Sequence, residues 1–181
     1  MAVIVVKDKR NLDKIAAVKK LKSCLKADNY ASTREWPYKN VPRRVIAETY
    51  MEDEKTGELR DYKFFSFDGV VRAMFVSQDR GKVGEDVKFD YFDADYNHLP
   101  ISQYHEHGRT TPAKPSCFEE MKDLASKLSK GIPQVRVDFY EVDGKVYFGE
   151  LTFFHHGGIV PFYPEEWNYT FGSWIKLPLQ K

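Results

Sequence analysis

The stretch from Gln134 to Phe154, QVRVDFYEVDGKVYFGELTFF, constrains this chain more than any other. Two runs rich in Val, Phe and Tyr flank Asp143-Gly144, the signature of a β-hairpin. Yet Arg136, Asp138, Glu150 and Thr152 sit inside those runs. Alternation puts Val135, Val137 and Phe139 on one face of the first strand, and Arg136, Asp138 and Tyr140 on the other. The turn then decides where the second strand's polar residues point. A two-residue Asp-Gly loop pairs Val142 with Lys145 and sends Asp138 and Glu150 to opposite faces. A type I turn with Gly144 left-handed in a G1 bulge pairs Glu141 with Lys145 instead. In that second register Arg136 faces Glu150, Asp138 faces Phe148, and Thr152 lies beside them. It also buries Val135, Val137, Phe139, Leu151 and Phe153 together, and is therefore the expected one.

Two carboxylates on neighbouring strands can share a cation. Oxygen ligands at that separation suit Mg²⁺, which takes few protein ligands and completes its octahedron with water and phosphate oxygens. A plain cross-strand ion pair between Arg136 and Glu150 explains the same pattern, and spacing alone leaves both open.

The rest of the composition narrows the class. A chain of 181 residues, 42% apolar and 15% aromatic, can bury a core as one domain or two small lobes. Twenty-eight basic against 27 acidic residues leave a net charge of +1, so no long-range field steers it toward nucleic acid or an anionic membrane. Cys24 and Cys117 fit neither a disulfide framework nor a zinc spacing, which points to a reduced, cytoplasmic chain. The apolar run in MAVIVVKDKR is too short for a signal peptide or a membrane span, and reads as a strand.

Residues 11–28 place Ile15, Val18, Leu21 and Leu25 at helical spacing, with Asn11 or Asp13 as the cap. RRVIAETYM reads as a strand, and RDYKFFSFDGVVRAMFVSQDR as a second hairpin turning at Asp68-Gly69. Residues 81–115 form a long irregular excursion with one short strand, VKFDYF. SCFEEMKDLASKLSKGIP is a helix, with Ser116 and Glu119 as its capping box and Gly131 ending it. The fold class that follows is α+β, with antiparallel β-sheets built from hairpins and two main amphipathic helices. The pairs His105/His107 and His155/His156 do not supply the three or four convergent ligands of a zinc site. His155 with Gly157-Gly158 instead shapes the mouth of a pocket after the second strand, or forms a surface turn.

RVIAETYM, DYKFFSFDGVVRAMFVSQDR and VRVDFYEVDGKVYFGELTFF, in that order and at these separations, resemble the motifs of the ATP-grasp superfamily. The resemblance is closest to its TupA-like branch, associated with surface polysaccharide and teichuronopeptide synthesis, and runs from about Val3 to the C-terminus. It implies an ATP-grasp-like fold, with ATP and Mg²⁺ as cofactors. Residues 1–51 would be the remnant of an N-terminal subdomain, and 52–181 the C-terminal subdomain with the nucleotide and metal site. Glu48 and the backbone near Tyr50 would edge the adenine, and Glu52 or Asp61 would approach the ribose. Lys63 would contact the terminal phosphates and Arg80 would meet phosphate or an acyl phosphate, with Arg136 a further catalytic residue, and Asp138, Glu150 and Thr152 would hold Mg²⁺. Thr152 stands where relatives usually carry Asn.

The resemblance implies ATP-dependent ligation of a carboxylate to an amine, the partners being a nucleotide and a small or glycan-linked substrate. No nucleic acid is involved. The lobe and Gly-rich lid that precede such motifs in relatives do not occur in the chain. It therefore resembles the C-terminal portion of a longer enzyme, half of a split one, or a degenerate copy. A homo-oligomer or a partner chain could complete it. Two other functions remain in view: a non-catalytic nucleotide-binding subunit, and a sugar transferase of the same pathway.

Overall fold

Asp68 and Gly69 both have positive φ, 46° and 82°, the geometry of a two-residue turn whose twist matches the strands it joins. They connect β1 (Asp61–Phe67) to β2 (Val70–Gln78), as the sequence leads one to expect. The computed structural model describes residues 3–53, 57, 59–78 and 86–178. The chain divides into two units, Met1–Met51 and Glu52–Lys181.

In the first unit, α1 (Lys14–Lys26) and α2 (Asn29–Thr33) are each capped by an aspartate. Asp13 accepts from the Ala16 N–H and Asp28 from the Ala31 N–H, both at 2.9 Å. The strands expected at residues 3–6 and 43–51 do not form. A β-rich run needs a ladder to satisfy its backbone, and among the described residues neither run has one. The apolar stripe of α1 is only partly covered: Ile15 is 85% exposed and Val18 is exposed too, while Leu21 and Leu25 are half-buried.

The second unit adds β3 (Lys88–Asp93), β4 (His98–Leu99), α3 (Phe118–Leu128), β5 (Val135–Val142), β6 (Lys145–Thr152) and α4 (Glu166–Trp174). Its strands form one six-stranded sheet, ordered β4-β3-β2-β1-β5-β6, with every neighbour antiparallel. The unit is thus α+β and built from hairpins. β1 lies in the middle and every one of its residues is buried. Such a strand needs cover on both sides. On one face, Phe118, Met121 and Ala125 of α3 pack with Phe64, Met74, Val137 and Phe139. On the other, Phe171 of α4 packs with Phe65, Phe67, Phe75 and Tyr91. Helix α4 carries no clean apolar period, so sequence alone missed it; aromatic burial against the sheet holds it in place.

Two local expectations need correction. The helix start is Cys117, not Ser116, and no capping box forms. The Ser116 hydroxyl donates to Glu141 on β5, while Glu119 pairs with Lys114 at 2.8 Å. A tertiary carboxylate has displaced the local one. The β5–β6 turn is also the two-residue form, pairing Val142 with Lys145, with φ of 51° at Asp143 and 73° at Gly144. The expected G1 bulge is absent from the turn. A bulge further along the ladder does the realigning. Val137 pairs with Leu151 and Phe139 with Phe148, so Asp138 alone faces both Gly149 and Glu150. This extra residue on β6 turns Glu150 to the face of Asp138.

Candidate functional site

Register fixes which side chains meet. Lys63 on β1 pairs with Asp138 on β5, and Phe65 with Arg136, so all four share a face. Asp61 lies one pleat away from Lys63 on the same face. Across β5, Arg136 pairs with Thr152, not Glu150 as expected. The bulge nevertheless brings Glu150 within reach.

The arginine organises the cluster. Its Nε donates to Asp138 Oδ1 and its Nη2 to Asp138 Oδ2, both at 2.7 Å, a two-pronged grip on one carboxylate. The same Nη2 also reaches Thr152 Oγ1 at 2.9 Å and Glu150 Oε1 at 3.3 Å. Three oxygens from Asp138, Glu150 and Thr152 therefore surround one cationic nitrogen. Lys63 closes the other flank, its amine donating to Asp138 and lying 2.6 Å from Asp61 Oδ2. Lys63 and Asp138 are both buried, whereas the Glu150 side chain is half exposed.

Charge follows from that geometry. Asp61, Asp138 and Glu150 against Lys63 and Arg136 make three negative groups and two positive, net −1. Burial would lower the Arg136 pKa, but the Asp138 hydrogen bonds and charge overcome it and raise it, so the guanidinium stays charged. The Glu150 pKa is raised, first by burial and then by the Asp138 charge beside it. A cluster one charge short, with an acid crowded by another acid, favours an added cation.

A second layer supports Arg136. Its Nη1 lies 2.6 Å from His155 Nδ1, and His155 Nε2 lies 2.6 Å from Gln103 Oε1. Gln103 Nε2 donates to the Val160 carbonyl at 2.7 Å, and the Tyr91 hydroxyl donates to Gln103 Oε1 at 3.2 Å. His155 is therefore a buried spacer between the arginine and the loop. It is not a surface turn residue. Gln103 and Tyr91 were not expected, since both lie in or beside the irregular excursion, where no sequence period marks a shared face.

The donor set fits Mg²⁺: two carboxylates and a hydroxyl, all oxygen, already converge on a cationic group. Glu48 and Tyr50 belong to the first unit, where the Lys7 amine lies 5.2 Å from the centre of the Tyr50 ring. Glu52 is half-buried at the start of the second unit, and Asp61 is buried against Lys63. Arg80 lies outside the described residues. Among the described residues no helix is long and apolar enough to cross a membrane.

No curated protein and no solved structure matches the chain. A family model described as TupA-like ATPgrasp does match, over residues 2–176, which takes in both units and every residue of the cluster. The chain belongs to the TupA-like ATP-grasp family.

Proposed function

We propose that this protein is an ATP- and Mg²⁺-dependent ligase that joins a carboxylate to an amine in surface-polysaccharide synthesis. The observation that carries the proposal is the convergence of Asp138, Glu150 and Thr152 on Arg136 Nη2, with Lys63 against the same carboxylate. In this reading Asp138, Glu150 and Thr152 hold Mg²⁺, which when bound neutralises phosphate charge during phosphoryl transfer. Adding a divalent ion takes the cluster from −1 to +1, the sign a triphosphate needs. Arg136 and Lys63 position the Asp138 carboxylate and add fixed positive charge beside it; a preset field of this kind needs no reorganisation as charge develops. Arg80 completes the cationic set. Glu48 and Tyr50 edge the adenine, and Glu52 takes the ribose, because Asp61 is committed to Lys63. Residues 1–51 belong to the N-terminal subdomain, and 52–181 form the C-terminal one.

A second reading, nucleotide binding without turnover, is favoured by Lys63, which is only 6% exposed and held between two carboxylates. Thermal unfolding with a non-hydrolysable ATP analogue and Mg²⁺ tests the shared part of both readings. Protection in the wild type, lost in Glu150→Gln, is expected. No shift at millimolar nucleotide would overturn both. Phosphate release from ATP, given a carboxylate and an amine, then separates ligase from binder.

A further inference from the structure

Asp90 on β3 pairs with Val76 of β2, while Phe75 pairs with Lys63 of β1. Asp90 therefore projects from the opposite face of the sheet to Lys63 and Asp138. It is 1% exposed, and two imidazoles converge on one of its oxygens. His98 Nε2, from β4, lies 3.1 Å from Asp90 Oδ1, and His107 Nδ1 lies 3.5 Å from the same atom. The second oxygen is already committed: Oδ2 accepts from Gln78 Nε2 at 2.7 Å and from the Gly108 N–H at 3.1 Å.

We propose that Asp90, His98 and His107 bind a divalent transition-metal ion of the zinc class, leaving one position for water or an external ligand. The three ligand atoms all lie within 4.8 Å of one another. Zinc bonds of about 2.0–2.2 Å in a tetrahedron set neighbouring ligand atoms about 3.3–3.6 Å apart. The observed 3.1 and 3.5 Å lie close to that spacing. A simple hydrogen-bonded cluster accounts for His98 but not for His107. His107 Nδ1 is sealed from solvent and has no hydrogen-bond partner, a state that a metal bond resolves. Two imidazoles with one carboxylate select zinc-like ions over Mg²⁺.

The supporting layer is also in place. Gln78 and the Gly108 N–H fix the carboxylate so that Oδ1 faces the histidines, the role outer-shell groups play at metal centres. Gly108 is needed for this approach: a Cβ there would lie 2.6 Å from Gln78 Nε2 and 2.9 Å from Asp90 Oδ2. Sequence spacing obscured the site because it suggested pairing His107 with His105. The His105 ring instead packs on Phe89, 4.4 Å between centroids. The metal ties β4 and the segment carrying His107 to β3, independently of the nucleotide reading.

The test is calorimetric titration of the metal-stripped chain with Zn²⁺ in excess Mg²⁺, with Co²⁺ absorption as a second probe. One Zn²⁺ per chain is expected, with a tetrahedral Co²⁺ spectrum. His98→Ala and His107→Ala should each weaken Zn²⁺ by on the order of 100-fold or more, and Gln78→Ala by about 10- to 100-fold. His156→Ala and Glu150→Gln should leave the affinity unchanged. Circular dichroism of each variant shows whether it folds. A wild-type chain that takes up no Zn²⁺, or folded His98 and His107 variants that bind as tightly as wild type, would overturn the proposal. Loss of binding in His156→Ala would overturn it too, by assigning the ion to the other histidines.

Discussion

Arg136 Nη1 and His155 Nδ1 are 2.6 Å apart, and because a guanidinium only donates, the imidazole must accept at Nδ1. Its proton therefore sits on Nε2, directed at Gln103 Oε1. The ring is locked neutral. Burial, then the Arg136 charge, press its pKa from 6.5 down to about 2.

That relationship gives the first prediction, on acid stability. Below pH 6.5 the unfolded chain protonates this histidine while the native state does not. Acidification therefore favours unfolding, and the effect continues until pH nears the depressed native value. One proton contributes a slope of at most about 1.4 kcal/mol per pH unit. Urea unfolding between pH 7 and pH 4 should show a steeper loss for the wild type than for His155→Gln, which cannot titrate. Equal slopes would mean that His155 is not held neutral.

Removing Arg136 tests the buried charge cluster. Asp138 is 1% exposed, and Arg136→Ala leaves Lys63 as its one remaining cationic partner among the described residues. Breaking a buried pair from one side costs about 3–5 kcal/mol, because an uncompensated charge stays behind. Replacing both partners, as in Arg136→Met with Asp138→Leu, should recover much of that loss. Chemical denaturation of the single and double variants measures it, and a double variant no more stable than Arg136→Ala would refute the charge argument.

Gly149 lies where the β5–β6 ladder realigns. A Cβ there would come within 3.0 Å of the Asp138 carbonyl oxygen and 3.2 Å of Tyr140 Cε2. Gly149→Ala must push β6 away from Asp138, at a cost of about 1–3 kcal/mol. It should also weaken Mg²⁺-dependent nucleotide protection, since the same bulge orients Glu150. Gly144→Asn, by contrast, should cost little, because Asn tolerates the left-handed turn conformation and nothing lies near that position.

The fate of this hairpin shows what sequence can carry. Alternation identified the face shared by Arg136 and Asp138, and the turn dipeptides located both hairpins, because these are nearest-neighbour properties. Placing Glu150 on that face required a bulge somewhere. Buried hydrophobics demanded it, but only Gly149, read as a close approach instead of a pleat position, marked where. Burial of Lys63 between Asp61 and Asp138, and the His155–Gln103 support, depend on packing between distant segments. No local pattern encodes them. The strands expected in the first unit failed for the complementary reason: composition supplies propensity, but a ladder needs a partner.

The start of α3 offers a last, purely structural prediction. Ser116 and Glu119 match a capping box in sequence, yet the Ser116 hydroxyl donates to Glu141, which also accepts from the Cys117 N–H at 3.5 Å. The carboxylate thus reaches the free N–H end of α3 from a strand, where helix polarity also favours negative charge. Glu119 meanwhile is drawn outward by Lys114. Glu141→Gln and Ser116→Ala should therefore each cost about 0.5–2 kcal/mol, the range for losing a cap. Their double variant should lose less than the sum, since each removes the same bond. Glu119→Gln should fall within about 0.5 kcal/mol of wild type, as expected for an exposed ion pair. A local capping box would reverse that order, with Glu119→Gln the costly change and Glu141→Gln nearly silent. Urea unfolding of the four variants distinguishes the two arrangements.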